Sequence, residues 1–386
     1  MSIPSLAYVA GGRLHVKAGD APLRSFDSTF GQQVRDRHTE IQQRHSWKEE
    51  GRGARFMSGL LWGGPQAEAA GLHIAFTGLS RGLGEGELLY ALDTDGRTAV
   101  CALRCQDGVE RRLIHGSPQR MRDLCARPGQ GQIACSVQHP DGTASIAVMD
   151  ASASDLRELT EGDAQDRSPS WAGGPGARLV YQSAGAGRAA GGHHIARLAA
   201  SEIHLLDLDR GTLETLASEP GRDLLTPRLD AEGTLYYIRR PHWGATSASP
   251  LRMLLDLLLL PFRLVYAIFQ YLNFFSARYT GKPLTTAGGP KRQGVDARQM
   301  MVWSNLMASG DAGPEEPESS VPRSWQLVRV RAGQKAETLA EGVLAFDLAP
   351  DGSILYTTGA AIHHIGPDGA HQRLLSGERV EALVAL

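Results

Sequence analysis

Aromatic residues are scarce, at 6% of 386, and neither sign of charge dominates: 40 Lys and Arg face 42 Asp and Glu, for a formal net charge of −2. The first shortage argues against long packed helices, and 45 glycines point instead to many tight turns. The balance of charge excludes the basic field that holds nucleic acid, so no nucleic-acid partner is expected. Cysteine is rarer still. Cys101, Cys105, Cys125 and Cys135 contain no CxxC pair, which argues against a structural zinc site and for buried, reduced thiols in a cytoplasmic protein. The opening MSIPSLAYVAGGRLHVKAG has no basic region ahead of a continuous apolar run; Tyr8, Gly11, Gly12, Arg13 and His15 interrupt it, so no signal peptide is expected. What the chain does have is 42% apolar residues, far from a disordered composition and enough for one large domain or two small ones.

Short alternating segments bounded by turn residues recur every 40 to 50 residues or so, the spacing of propeller blades. The clearest unit runs DRSPSW, ARLVYQSA and EIHLLDLDRGTLETLASEP across residues 166–220. The next begins DLLTPRLDAEGTLYYIRR, and its partner strands, SWQLVRVRAGQKAETLAEG, come only after a long insertion. Further copies are LAFDLAPDGSILYTTGAAIHHIGPDGAHQRLLSGE near the end and MRDLCARPGQGQIACSVQHPDGTASIAVMDASASDLRELTEG at 121–162. Before them, RFMSGLLW, LHIAFTG, ELLYALDTDGRTAVCALR and VERRLIHG are expected to supply another four strands. The last residues, VEALVAL, match the opening strand of a unit, and SLAYVAGGRLHVKAGDAPLRSF at the start matches its remaining strands. A blade shared between the termini closes a ring and leaves no open sheet edge. The expected fold is therefore all-β, a single domain over 1–386: a six-bladed β-propeller with N- and C-terminal strands closing one blade, plus two helical insertions. Without the insertions about 280 residues remain, roughly 45 per blade. The rival is a pair of separate β-sandwiches, which would not need complementary termini.

SPSW followed by a Gly-rich turn and LVYQS, together with FDLAPDGSILYTT, resemble the β-propeller repeats of TolB-type proteins over about three quarters of the chain. The resemblance implies a protein-binding platform. Some such proteins are periplasmic, and the missing export signal separates this chain from those.

The first insertion, 27–53, reads as a charge-rich helix capped by Asp27 or Ser28, with Val34, Ile41 and Trp47 as a thin apolar stripe. His38 and His45 lie seven residues apart on one face, without the spacing of a helical metal site. His38, Ile41, His45 and Trp47 are the candidate contacts if this helix docks a partner; otherwise it is a solvated decoration.

The second insertion, 241–323, contains SPLRMLLDLLLLPFRLVYAIFQYLNFFSARYTGKPL. At 100° per residue Arg252, Asp256, Arg263 and Gln270 fall within about 40° of one another, a narrow polar face. Leu254, Leu257, Leu258, Val265, Ile268 and Leu272 carry the opposite face, with Phe269 and Phe275 among the flanking aromatics. Ser249 caps, Pro250 opens the helix, and Pro261 kinks or divides it. Three charges inside the apolar stretch disfavour a membrane span, at about 2.5–3.5 kcal/mol each near a bilayer centre. A helix lying in the membrane interface satisfies the pattern, and Arg278, Lys282, Lys291, Arg292 and Arg298 against Asp296 leave a local excess of four positive charges for an anionic surface. A partner interface and packing within the chain are the alternatives. Residues of about 308–323 read as a polar, Pro-rich, disordered linker.

Catalytic patterns are thin. GLSRG at 78–82 matches the nucleophile elbow, but a loop and another strand follow where a helix is required, so Ser80 is not expected to react. Gly82, Gly84 and Gly86 lack the strand–helix setting of a phosphate loop. His193-His194 and His363-His364 diverge in a strand and read as hairpin residues. A channel enzyme would draw on Asp123, Asp347 and Glu381 of the inner strands. No catalytic, cofactor-binding or metal residue is assigned. The expected protein is a non-catalytic scaffold or adaptor, cytoplasmic and peripheral at the inner face of the membrane, held to a membrane or protein partner by residues 250–275. The alternatives are an interaction subunit of a multicomponent bacterial ATPase-linked system and an enzyme with its site in the channel.

Overall fold

A computed structural model describes residues 4–19, 21–49, 74–117, 119–152, 155–188, 195–242, 301–302, 305–306, 319–376 and 379–386. The chain divides into two compact units, Met1–Pro241 with Val302–Leu386, and His242–Met301. The second lies, apart from its end residues, outside the described residues, as do RFMSGLLW, His193-His194 and all of residues 250–275.

The first unit is all-β and propeller-like, built from antiparallel four-stranded meanders. Sheet I joins the two chain ends in the order Val380–Ala385, Leu6–Ala10, Arg13–Lys17, Arg24–Phe26. Sheet II is Ile74–Arg81, Glu87–Thr94, Arg97–Arg104 and Glu110–Ser117. Sheet III is Arg120–Arg127, Gln132–Gln138, Ala144–Asp150 and Arg157–Glu158. Sheet IV is Ala164–Trp171, Arg178–Arg188, Glu202–Asp207 and Thr212–Ala217, and it joins sheet III through one parallel pair, Ala144 with Gln165. Sheet V is Arg222–Leu229, Leu235–Pro241, Gln326–Val330 and Glu337–Glu341; sheet VI is Ala345–Leu348, Ile354–Thr357, Ala361–Ile365 and His371–Ser376. The first strand of each sheet touches the first strand of the next, and that of sheet VI touches Val380–Ala385 of sheet I, so the contacts run in a closed cycle.

The burial pattern explains the strand sequences. Second strands are covered on both faces by neighbouring sheets, and so read as apolar runs such as LAYVA and LLYAL rather than as alternations. Fourth strands such as Thr212–Ala217 and His371–Ser376 are mostly exposed and polar, which blunts the outer edges. At the Asp95-Gly96 hairpin both residues have φ near the left-handed region, 56° and 88°, as a two-residue turn with the twist of its strands requires.

The first strands of sheets II to V each carry a register shift, between Phe76 and Gly78, Arg122 and Cys125, Arg167 and Ser170, and Leu225 and Arg228. In the last three the extra residue is left-handed: Asp123 at φ 53°, Ser168 at 51° and Thr226 at 49°. Such a conformation costs on the order of 1 kcal/mol or more in a non-glycine residue. At Ser168 and Thr226 it turns a backbone N–H toward the preceding sheet. Ser168 N donates to Asp123 Oδ2 (3.2 Å), and Thr226 N to Gln182 Oε1 (2.8 Å).

Thr29–Glu49 is the helix of the first insertion, begun as expected by Ser28, whose Oγ accepts from Gly31 N at 3.1 Å. A second cap comes from a distant strand. Glu110, at the head of sheet II's outer strand, accepts from Thr29 N (2.9 Å) and Phe30 N (3.0 Å), setting a carboxylate against the positive end of the helix. Phe30, Val34 and His38 are half-buried, whereas Ile41 is 49% exposed, so among the described side chains the stripe begins one turn earlier than expected and omits Ile41. The side chains of His45 and Trp47 lie outside the described residues.

Candidate functional site

Each meander starts at one end of the ring and turns at the other, so the loops joining first and second strands gather at a single end. There they surround a cavity of ≈ 850 Å³ lined by residues from all of the first strands, among them Arg81, Arg127, Trp171, Arg228, Asp347 and Leu383. The volume falls in the range of ligand sites. Deeper along the axis a smaller space of ≈ 70 Å³ is lined by Asp123, Ser168, Thr226 and Phe346.

Asp347 sits at the floor of the large cavity. Its Oδ1 accepts from Arg228 Nε at 3.1 Å, its Oδ2 from Ala385 N at 3.1 Å, and Arg81 Nη2 lies 3.9 Å from Oδ2. Arg228 also donates from Nη1 to Pro227 O (3.0 Å), and Arg81 donates from Nη2 to Leu348 O. Higher up, the Arg127 guanidinium lies 4.9 Å over the Trp171 ring while Trp171 Nε1 donates to Cys125 O at 3.1 Å. Burial pushes the Cys125 thiol up, with Arg228 opposing it, so this cysteine is a neutral wall atom rather than a poised nucleophile. At the rim, Asp230 accepts from Thr234 N (2.7 Å), and Asp351 from Ser353 N (2.9 Å) and Oγ (2.6 Å); the latter bonds hold the Asp351 carboxyl below its ordinary range.

The three inner-strand acids do not converge. Asp123 Oδ2 accepts from Ser136 Oγ (2.7 Å) as well as from Ser168 N, a bond between sheets III and IV. Asp347 lines the large cavity and Asp123 only the small one; Glu381 lines neither, and burial raises its pKa against the opposing charge of Arg379. Near the far end of the axis, burial together with Arg122 brings Arg167 down to about 10, with Asp123 opposing the shift. Among the described residues no cluster of three or more His, Cys, Asp and Glu could hold a metal ion.

Ser80 lies within the strand Ile74–Arg81, 8% exposed, and its Oγ accepts from Ala126 N at 3.0 Å. His363 and His364 do diverge, but within the strand Ala361–Ile365: His363 stacks on Tyr356 with ring centroids 4.9 Å apart, and His364 is buried. The same cross-strand stack pairs Tyr8 with His15 (4.8 Å) and Tyr181 with His204 (5.7 Å). Cys101 and Cys135 are buried, Cys105 and Cys125 only partly so, and all four are free. The contact residues Leu254, Leu257, Leu258, Val265, Ile268, Phe269, Leu272, Phe275, Lys291 and Arg292 lie outside the described residues. The cavity arginines were missed in the sequence. Their signal was a common place: SRG, CAR and TPR all end or nearly end a first strand.

No protein-family model matches the chain, and no curated protein sequence does. Among solved structures it is similar to TolB from Acinetobacter baumannii, with a TM-score of 0.52 and 11% identity over 99% of this chain and 66% of that one. The chain thus spans just under two thirds of that protein's length. A chain of a nidogen/laminin complex gives a TM-score of 0.49 and 8% identity over 100% of this chain and 99% of that one. A TolB from Agrobacterium tumefaciens gives 0.43 and 13% over 80% and 84%. The resemblance to TolB-type β-propellers holds at the level of fold.

Proposed function

We propose that this chain is a non-catalytic six-bladed β-propeller, closed by its own termini, that serves as a scaffold held to a membrane surface through residues 250–275. The observation that carries the proposal is where the long insertion leaves the fold. It departs after Leu235–Pro241 and returns at Gln326–Val330, adjacent strands of one sheet in which Arg239 pairs with Gln326. A single membrane crossing would deliver the returning chain to the wrong side, whereas a segment lying in the interface can leave and return at one place. Among the described residues no helix is long and apolar enough to cross a membrane. The apolar face of Leu254, Leu258, Val265, Ile268 and Leu272, and the cationic stretch through Lys291 and Arg292, support interfacial binding to an anionic leaflet.

Strand alternation adds a second argument. The helical insertion at 27–53 joins the fourth strand of sheet I to the first of sheet II, and the long insertion joins the second and third strands of sheet V. Both connections leave from the end opposite the large cavity. The points at which both insertions leave the sheets therefore lie away from the cavity lining. An inner-membrane, cytoplasmic placement belongs to this proposal, as does the non-catalytic role, which rests on inner-strand acids that share no one cavity, two of which, Asp123 and Asp347, are bonded into the fold.

Flotation of the full chain with anionic liposomes tests it. Leu258→Asp with Ile268→Asp should release the protein, since burying each such side chain is worth about 1.5–3 kcal/mol. Lys291→Glu with Arg292→Glu should weaken binding most at low salt. A full chain indifferent to lipid overturns the membrane role. If it self-associates, and the Asp variants become soluble monomers, residues 250–275 form a protein interface instead.

A further inference from the structure

We propose that the floor of the large cavity is a carboxylate-binding site formed by Arg81 and Arg228. Two guanidinium groups meet there over one carboxylate, Asp347, which leaves one positive charge uncompensated. One carboxylate balances only one of the two guanidinium charges, and Asp347 already accepts from Arg228 Nε on Oδ1 and from Ala385 N on Oδ2. Each arginine carries five N–H donors. Among the described residues Arg81 gives one hydrogen bond, to Leu348 O, and Arg228 gives two, to Asp347 and Pro227 O. The donors left over belong to side chains that line the cavity and are partly exposed to it, at 36% for Arg81 and 26% for Arg228. A planar fork with spare parallel donors matches a carboxylate better than any neutral group.

Surrounding charge narrows the ligand. Asp230, Glu232 and Asp351 stand around the rim. They repel polyanions such as nucleic acid or polyphosphate more strongly than a singly charged carboxylate, because the repulsion grows with the charge of the ligand. The source of the carboxylate is either a free organic acid or the carboxy terminus of a peptide, and the cavity has room for a few residues. Trp171, with one face under Arg127, provides an apolar wall beside the entrance. The assignment rests on the proposed scaffold. The membrane experiment reads residues 250–275 and the titration reads Arg81, so the two can fail separately.

The test is calorimetric titration of the full chain at low salt with three probes: sodium propionate, N-acetyl-trialanine with a free carboxy terminus, and the same peptide as its amide. Saturable binding of the acid peptide, with the amide at least about tenfold weaker, is expected from the loss of charge-assisted hydrogen bonds. Propionate binding as tightly as the peptide would identify a free organic acid as the source. Arg81→Gln should weaken the acid about tenfold without loss of folding, since Asp347 keeps Arg228 and Ala385 N. Asp347→Asn should tighten it by removing the competing charge; should that variant not fold, Arg81→Gln decides alone. No saturable binding of either acid, equal binding of acid and amide, or an Arg81→Gln variant that binds like the parent would overturn the site.

Discussion

A serine in a G-x-S-x-G string shows how little a motif means without its setting. Ser80 is a strand residue, and its Oγ accepts the Ala126 N–H where sheet II meets sheet III. Its work is to satisfy a buried backbone donor. Ser80→Ala should therefore lower stability by about 1–3 kcal/mol, the cost of leaving that N–H unpaired, as read by chemical denaturation. A fluorophosphonate probe should leave the parent unlabelled; stoichiometric labelling lost in Ser80→Ala would make it a nucleophile after all. Ser168 and Thr226 carry the same lesson in the backbone. Their left-handed conformations could not be read from strand-like sequence, because the acceptors of their N–H groups, Asp123 and Gln182, lie in other strands.

Among elements, the ribbon that extends strand Arg178–Arg188 of sheet IV is pinned to sheet III by one side chain. Arg188 Nη2 lies 2.7 Å from both Asp141 Oδ2 and Asp163 Oδ1, and its Nε donates to Asp163 at 2.9 Å. The Arg188 bonds, and after them those from Thr143, hold the Asp141 carboxyl well below its ordinary range. A carboxyl depressed on folding stabilises the protein above its unfolded pKa, near 4, and loses that contribution as pH falls through the folded value. Melting temperatures of the parent and Arg188→Gln should therefore differ most near neutrality and converge as the pH drops below about 4. A gap that stays constant or widens in acid would show that Arg188 acts through packing. The strands themselves were legible, since turn residues and apolar runs are local signals. The clasp was not, because its partners are separated by 47 and 25 residues.

For the whole molecule, closure is the property to test. Val380–Ala385 pairs along Leu6–Ala10 from Leu6 with Ala385 to Ala10 with Val380, and touches the first strands of sheets II and VI. Val380, Leu383 and Val384 are all at most 6% exposed. Deleting residues 380–386 removes that burial, at about 1.5–3 kcal/mol per large side chain, and bares the edge of Leu6–Ala10. A fall in melting temperature of about 10 °C or more, or aggregation, is expected. A truncated protein that melts like the parent would mean that the ring does not depend on its terminal strand.

The sequence by itself determined the all-β class, the repeat, the meeting of the two termini and the capped helix near residue 28, because period, turn chemistry and capping act over a few residues. Only the tertiary structure decided which polar groups share a space. Arg81, Arg228 and Asp347 are up to 266 residues apart and are brought to one floor by three first strands converging on one axis. Glu110 caps a helix 80 residues away, and Asp123, which by type is a candidate for chemistry, is spent on joining two sheets. Hydrogen bonds and ion pairs form over a few ångströms, and no spacing along the chain encodes that distance once the sheets close into a ring.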